Sequence, residues 1–456
     1  MVNYKYMEYV WDISFLIPNR NIAFRPHSLV QFTESCNYVD NFISSYTLTV
    51  KIEDKWLDYF RFFDKELFAR VKVLAFWGDS PQKKNNREVI FESTFAIYID
   101  KSAIPSFSKL DRSKSSDKVD DEVVRENEYT NGTITSDTPV KLKMNLLLRD
   151  DLEMRTYIHN YVFGSEDNPI DPLTAAMACI SMNPYVKKVV VDKPDNTTRY
   201  TDLIVEPGEL KTVLYTIQRR YGIYAKSMQL FYKNGTLYML NKMNPEHVKT
   251  KDRNNLINLL IVERQDKPNL DYSIITDSDG GVAYKRGSPV IKQDLESING
   301  VLHGNKFVFS NFGTVINSAF AGDGDTQFIS PLNEIDNPTQ ARADIGVKKV
   351  IDYDMLNNPY NMSSYMFEQN EGVPIGLTLD NVDIRDFAPN SRINVKFDNV
   401  QSNKLYSGNY NIKQANFVFN NIGTPNARFR TYGHVSLLLF NKRDGYNDDY
   451  AVEKPD

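Results

Sequence analysis

Cysteine and histidine are scarce in this chain of 456 residues. The two cysteines, Cys36 and Cys179, lie far apart and have no metal-ligand spacing, and no two of the five histidines lie at such a spacing either. A disulfide between Cys36 and Cys179 stays open, although we expect two buried thiols in a protein made in a reducing cytosol. The sequence therefore gives no support for a metal site, and we predict no metal and no cofactor.

Long apolar runs are also missing. No stretch is long and apolar enough for a membrane span, and the N-terminal residues have no basic lead before an apolar segment. We therefore expect no stable membrane insertion and no secretory leader. The sequons at Asn131 and Asn234 are then predicted to be turns rather than glycosylation sites.

Sequence motifs of catalysis are absent as well. No GxSxG, P-loop or GxGxxG can be placed between a strand and a helix. Acidic turns at 277–280 and 323–325 resemble calcium loops but lack the closing glutamate of an EF-hand, which predicts plain Asx turns. Carboxylates are plentiful without a pair at a defined separation, so a glycosidase has little support. We predict that the protein is not an enzyme, and no residue is assigned as catalytic, cofactor-binding or metal-binding.

The charge and composition describe an ordinary globular protein. A net charge of -5 argues against non-specific nucleic-acid binding as the main task, although a local basic patch is compatible with it. Hydrophobic residues make up 41% and the mean hydropathy is -0.46. The 27 tyrosines, 26 phenylalanines and many asparagines favour a β-rich architecture with many turns and large polar contact surfaces.

Residues 1–150 are predicted to form a first β-barrel domain. Strands are expected where apolar and polar residues alternate, at 46–52, 69–77, 88–99 and 140–148. The aromatic-rich residues 55–68 predict either one short helix or a sheet-edge loop. Residues 106–138 are rich in Ser, Asp, Lys and Glu, which indicates a mobile solvated loop, with a binding tail as the alternative.

Residues 151–250 are predicted to form an inserted α/β domain. One helix should begin with Asp171 as N-cap and Pro172 in the first turn, followed by a strand at 186–192. A second helix should have Pro207 in its first turn, a buried stripe, and Gly222 as its C-terminal stop. Its buried stripe consists of Leu210, Val213, Leu214, Ile217 and Tyr221. Asn234-Gly235 then predicts a type I′ hairpin.

Residues 251–300 and 378–445 are predicted to form a second β-barrel domain. Its strands are expected at 254–262, 272–284, 392–397, 409–419 and 429–440. Residues 301–377, rich in Asn, Gly and Asp, predict a loop-rich arm or insertion. Residues 446–456 predict a solvated tail.

Three stretches of sequence carry a family resemblance. The first is LIVEPGELKTVLYTIQRRYGIY followed by LFYKNGTLYML within 203–240, the second is NSRINVKFDN followed by SGNYNI within 390–412, and the third is RFRTYGHVSLLLFN at 428–441. Together with the domain order, they resemble the baseplate hub proteins of contractile-tailed bacteriophages, the T-even-like tail hub family.

The resemblance implies an α+β, mainly β fold with two tube-type antiparallel β-barrel domains and an inserted α/β domain. It further implies a virion protein of the tail baseplate, assembled in the host cytoplasm, that acts as a homotrimer between a sixfold tail tube and a threefold central spike. Implied partners are the spike, the tail tube or tube-initiator protein, neighbouring baseplate wedge proteins, and DNA only in passage through the lumen. The alternatives are a wedge or tube-end protein, or a cell-wall-binding or cell-wall-cleaving tail module.

Overall fold

The computed structural model describes only part of the chain. The described residues are 6–63, 66–78, 87–99, 139–225, 227–242, 256–261, 275–276, 282–286, 290–291, 307–309, 349–351, 358, 374–380, 382–397, 406–423 and 427–443. The predicted loop at 106–138, nearly all of the predicted arm at 301–377, and the predicted tail at 446–456 lie outside the described residues.

Strands dominate this part of the chain. They are β1 (Tyr6–Ile17), β2 (Ile22–Phe24), β3 (Ser28–Asn37), β4 (Ser45–Ile52), β5 (Phe68–Gly78), β6 (Arg87–Tyr98), β7 (Val140–Leu148), β8 (His159–Phe163), β9 (Lys188–Val191), β10 (Leu203–Gly208), β11 (Met228–Lys233), β12 (Thr236–Asn241), β13 (Leu256–Ile261), β14 (Ile275–Thr276), β15 (Val282–Arg286), β16 (Val290–Ile291), β17 (Phe307–Phe309), β18 (Lys349–Ile351), β19 (Ile375–Asp380), β20 (Arg392–Phe397), β21 (Gly408–Asn421) and β22 (Arg430–Arg443). The α-helices are α1 (Leu57–Phe62), α2 (Arg149–Met154), α3 (Pro172–Ser181) and α4 (Leu210–Tyr221).

Eight of these strands close into an antiparallel barrel, in the order β21-β3-β4-β7-β6-β5-β1-β22 and back to β21. The alternating pattern of each strand sends one set of side chains into the barrel and the other set outward. Closure leaves this ring without an unpaired edge. The sequence-based prediction of a mainly β fold is confirmed.

Strands β21 and β22 extend beyond the barrel into a second group of strands. The outer edge of β21 pairs with β3 at Gln414–Asn420 and with β20 at Gly408–Asn411, and a register shift separates the two segments. The outer edge of β22 likewise passes from β1 to β19. Strands β13, β15 and β14 continue from β20, and β16 follows β19. One long hairpin therefore belongs to both groups.

The second group differs from the predicted all-antiparallel barrel in one respect. Strand β13 pairs in parallel with both β15 and β20. Parallel neighbours need a crossover connection rather than a hairpin, and alternation within single strands does not reveal which strands become neighbours. The predicted domain limits stay predictions, while the pairing adds β21 and β22 to the barrel of the N-terminal strands.

The barrel core is largely aromatic. The rings of Tyr9 and Phe419 meet edge-to-face at 5.0 Å between centroids, and those of Trp11 and Phe32 lie 4.7 Å apart. Polar ring atoms are satisfied, since Trp11 Nε1 donates to Thr431 Oγ1 at 2.8 Å and the Tyr9 hydroxyl donates to the carbonyl of Val382. These contacts join N-terminal and C-terminal strands in one core.

The α/β domain between β7 and β13 follows the predicted order. Strands β11 and β12 form a hairpin whose turn residues Asn234 and Gly235 have φ of 52° and 74°, as a type I′ turn requires. Strand β9 joins β12 in parallel, and β8 pairs with β10. Helix α3 begins as predicted, with the Asp171 carboxylate accepting from the Thr174 amide at 2.8 Å.

Two local predictions have definite outcomes. Pro207 was expected in the first helical turn, but it lies in β10, and α4 begins only after the extended residue Glu209. The pairing of Gly208 with His159 explains this error, because it keeps the backbone extended past the proline. For residues 55–68, where helix and loop were both open, the structure has the short helix α1.

Candidate functional surface

The outer surface of the barrel carries two kinds of side chain. On β3, β4, β7, β19, β21 and β22 the inward positions are mostly apolar, while most outward positions are hydroxyls and amides. We call this surface the polar face; it consists of Gln31, Thr33, Ser35, Ser45, Thr47, Thr49, Asn145, Thr378, Asn416, Asn420 and Ser436. Val418, Tyr432 and His434 lie among them on the same side of the sheet. These side chains include no carboxylate and no ammonium group, whereas Lys51, Lys141 and Lys143 occupy outward positions at one end of β4 and β7.

Strand register sets the polar face in cross-strand rows. One row runs through Thr378, Ser436, Asn416, Ser35 and Ser45. Ser35 Oγ donates to Asn416 Oδ1 at 2.6 Å, and Thr378 and Ser436 hydroxyls lie 3.2 Å apart. These paired positions cross from the barrel to the second group of strands, so the polar face is continuous over both.

A second row joins the polar face to one end of the barrel. Asn420, Gln31, Thr49 and Lys143 are successive cross-strand neighbours. Gln31 Nε2 donates to Asn420 Oδ1 at 3.0 Å. The hydroxyl and amide groups of this row are uncharged, and Lys143 at its end carries a positive charge.

The opposite side of the barrel is charged. On β5 and β6, Glu92 accepts from Arg70 and lies 3.3 Å from Lys72, and these hydrogen bonds lower the pKa of the Glu92 carboxyl. On β1, Asp12 lies 3.1 Å from Arg25. Opposite charges at adjacent strand positions suit a solvated exterior, so this side of the barrel carries paired charges.

A buried ion pair fastens the α/β domain to the barrel. Lys233 Nζ, at the end of β11, lies 3.0 Å from Glu34 Oε1 inside β3, and both side chains are nearly inaccessible. Glu34 Oε1 also accepts from Ser44 Oγ at 2.9 Å. Lys233 Nζ lies 4.7 Å from the centre of the Phe417 ring. Because the carboxylate and the ammonium are both partnered, this cluster is a structural junction.

Both cysteines are buried free thiols, as expected from the sequence. Burial, followed by the charge of Glu34, raises the pKa of the Cys36 thiol to about 12. Burial raises the pKa of Cys179 to about 11. A thiol that stays protonated is a poor nucleophile and a poor metal ligand, which gives both residues a packing role.

A cleft of about 350 Å³ lies where the barrel meets the α/β domain. It is lined by residues 41–43, by α2 and by the start of α4, and the charged pair Arg155 and Asp151 on its wall lies 2.7 Å apart. Over the described ranges, no group of three or more His, Cys, Asp or Glu side chains could hold a metal ion.

Several features singled out in the sequence have definite positions. His434 lies in β22, within the strand predicted at 429–440. His159 is buried at the start of β8, and burial lowers its pKa. The acidic turns at 277–280 and 323–325 and the sequon at Asn131 lie outside the described residues. No helix in the described part of the chain is long and apolar enough to cross a membrane.

Exposed apolar side chains concentrate on the β8 and β10 ribbon of the α/β domain. Val162 and Ile204 are direct cross-strand partners and are 66% and 49% exposed. Ile158, just before β8, is 71% exposed. The α/β domain is therefore apolar on this ribbon, and single exposed apolar side chains also lie on the barrel strands, at Val89, Tyr98 and Leu147.

Comparison with solved structures finds proteins of similar strand arrangement at very low sequence identity. A tail protein from Neisseria meningitidis MC58 has a TM-score of 0.47 and 10% identity, covering 94% of this chain and 96% of that chain. The 43 kDa tail protein of prophage MuSo2 from Shewanella oneidensis has a TM-score of 0.46 and 8% identity, covering 93% and 96%. The E. coli c3393 protein, a component of the type VI secretion system, has a TM-score of 0.40 and 6% identity, covering 95% and 78%.

No curated protein matches the sequence. A family model does match: that of bacteriophage PBS1 gene 109 protein, over residues 107–431. This segment is well over half of the chain and includes the α/β domain, β19 to β21 and the start of β22. The expectation of a phage protein is confirmed, and the chain belongs to the bacteriophage PBS1 gene 109 protein family.

Proposed function

We propose that this protein is a structural component of a phage tail, the trimeric baseplate hub that adapts the sixfold tail tube to the threefold central spike of a contractile tail. It acts in the virion, is assembled in the host cytoplasm, and has no catalytic role. Its partners are two further copies of itself, the spike, the tail tube or tube-initiator protein, and neighbouring wedge proteins.

The observation that carries the proposal is the long hairpin of β21 and β22. This hairpin belongs both to the closed barrel and to the second group of strands, so one chain presents two β units side by side on a shared backbone. Three such chains around an axis supply six β units, which is the number needed to meet a sixfold tube. A closed ring of three also follows the usual preference of homo-oligomers for closed symmetry.

The polar face supports the same arrangement. DNA that passes through a tube lumen must slide past the wall without binding it tightly, and basic walls bind phosphates strongly. The polar face is continuous over both β units, and its hydroxyls and amides carry no charge. We therefore place the polar face toward the lumen and the charged side of the barrel away from it.

Light scattering after size-exclusion chromatography tests the trimer. The hub proposal predicts a mass three times the 52.6 kDa of one chain. A stable monomer over the micromolar range is the result that contradicts it. If negative-stain class averages show a trimer whose three copies do not close into a threefold-symmetric ring, the wedge or tube-end alternative is favoured.

A zymogram on peptidoglycan tests the remaining alternative, a cell-wall-cleaving or cell-wall-binding module. The proposal predicts no clearing, and it predicts no co-sedimentation of the protein with purified cell walls. Clearing that disappears on mutation of one carboxylate would overturn the non-enzymatic assignment.

A further inference from the structure

One end of the barrel carries a cluster of cationic side chains that the proposed function does not use. It lies where β3 and β7 begin and β4 ends, and we call it the basic rim. Its cations are Lys51, Lys141, Lys143 and Arg428, and the imidazole of His27, whose pKa is lowered, lies among them. Lys51 and Lys141 are direct partners across β4 and β7, and Lys143 is the partner of Thr49 on the same side of the sheet. The His27 amide donates to the Lys51 carbonyl at 2.8 Å, and the Leu29 amide donates to the Arg428 carbonyl at 3.0 Å.

Intramolecular ion pairs do not account for three of these cations. Among the described residues, Lys51, Lys143 and Arg428 form no ion pair. The nearby Glu53 lies 2.5 Å from Lys55 instead. By contrast, Arg70 and Lys72 on the charged side of the barrel share Glu92. Like charges directly across a strand pair are destabilising, and Lys51 lies directly across from Lys141.

The positive side chains of the rim affect the pKa of His27. Its pKa is lowered, first by burial and then by the positive charge of Arg428, with Lys51 acting in the same direction and Glu53 against it. All four lysine and arginine side chains of the rim are exposed. The rim is therefore a concentrated positive surface on a chain whose net charge is -5.

The basic rim is continuous with the polar face. Lys143 ends the row that contains Thr49, Gln31 and Asn420, so a molecule lying along the polar face reaches the lysines without leaving the sheet. The side-chain amides of Gln31 and Asn420 in that row can donate to phosphate oxygens, and lysines serve as point charges for phosphates. The rim itself has no phenylalanine, tyrosine or tryptophan side chain on which an unpaired base could stack.

We infer that the basic rim binds the phosphate backbone of double-stranded DNA, without reading its sequence, at the mouth of the polar face. This inference rests on the proposed function, in which DNA passes along that face. Contact confined to one end would hold a duplex at the entrance while the uncharged face lets it slide. An acidic protein surface is the competing partner, and the experiment separates the two.

Fluorescence anisotropy with a labelled duplex of about 20 base pairs measures the binding, at about 50 mM and about 200 mM salt. The full chain is compared with Lys51→Gln/Lys141→Gln/Lys143→Gln. A matched control, Lys187→Gln/Lys193→Gln/Lys211→Gln, removes the same charge from the α/β domain. We expect the rim variant to bind about tenfold more weakly at low salt and with a shallower salt dependence, and the control variant to bind like the unchanged chain.

Equal binding by the two variants, or no binding by the unchanged chain at low salt, overturns the inference. A labelled poly-glutamate peptide is run in parallel. Rim-dependent binding of the peptide without rim-dependent binding of the duplex also overturns it and identifies an acidic protein as the partner.

Light scattering and a thermal melt of each variant keep the two proposals apart. A folded trimer that fails to bind the duplex contradicts the DNA contact and leaves the hub proposal standing. A chain that is monomeric before any substitution contradicts the hub proposal itself.

Discussion

At the scale of single residues, the ion pair of Lys233 and Glu34 is the contact whose loss we expect to destabilise the protein most. Removing one partner of a buried ion pair leaves the other charge unpaired, which costs about 3–5 kcal/mol. We expect Lys233→Met to lower the free energy of unfolding by that amount, measured by urea denaturation. Glu34→Gln combined with Lys233→Met should recover a part of the loss. Strictly additive losses would show that the two side chains do not interact.

The same junction predicts sensitivity to alkali. The pKa of the Cys36 thiol is raised from 9.0 to about 12. Burial lowers the pKa of Lys233, but Cys36 and Glu34 more than offset this and leave it raised. Groups whose folded pKa is raised contribute stability below the unfolded pKa and lose it as the pH rises. The melting temperature should therefore fall between about pH 9 and about pH 12, and less steeply for Cys36→Ala. An equal fall in that variant would contradict the assignment.

Helix α4 permits a comparison of a buried position with an exposed one. Leu214 is fully buried, whereas the Arg219 side chain is exposed. Leu214→Ala should destabilise by about 2–5 kcal/mol because it opens a cavity. Arg219→Ala should change the free energy of unfolding by no more than about 0.5 kcal/mol. Similar losses in chemical denaturation of the two variants would contradict the observed face of α4.

At the scale of elements, the end of α4 shows what the sequence pattern did not predict. Gln218 is not part of the predicted buried stripe, yet it is buried: its Oε1 accepts from the amides of Ile223 and Tyr224, and its Nε2 donates to the Tyr224 carbonyl at 2.8 Å. Periodicity finds apolar faces, but it does not identify a polar side chain that serves as a C-terminal cap. The following Gly222 has φ of 68°, which fits the predicted stop.

That capping role is testable by substitution. Gln218→Leu keeps the side-chain size but leaves two backbone amides and one carbonyl without their partner, and each such group costs about 1–3 kcal/mol. We expect faster hydrogen exchange of the Ile223 and Tyr224 amides than in the unchanged chain. Arg219→Leu, one position along, serves as the control, and equal exchange in both variants would exclude the cap.

Strand alternation predicted most strands, including β20 at residues 392–397. It did not predict which strands pair, because pairing joins residues far apart in sequence, such as Ser35 and Asn416. Part of the polar face is visible in the sequence of β3. There the outward residues Gln31, Thr33 and Ser35 alternate with the inward residues Phe32, Glu34 and Cys36. The polar face and the basic rim each combine residues from several strands. Only the register of neighbouring strands shows that these residues lie side by side.

At the scale of the whole molecule, the account rests on three copies that present the polar face to a common axis. Each feature has a place in this arrangement: the shared hairpin supplies two β units, and the ion pair at Lys233 holds the α/β domain to the barrel. The charged side of the barrel, with Arg70, Lys72 and Glu92, then faces away from the axis.

A cryo-electron microscopy reconstruction of the purified full-length protein tests this central claim most directly. The account predicts a threefold ring whose central channel is lined by β3, β4, β21 and β22, with Ser35 and Asn416 at its wall. A particle without threefold symmetry, or a ring in which the charged strands β5 and β6 line the channel, would contradict it.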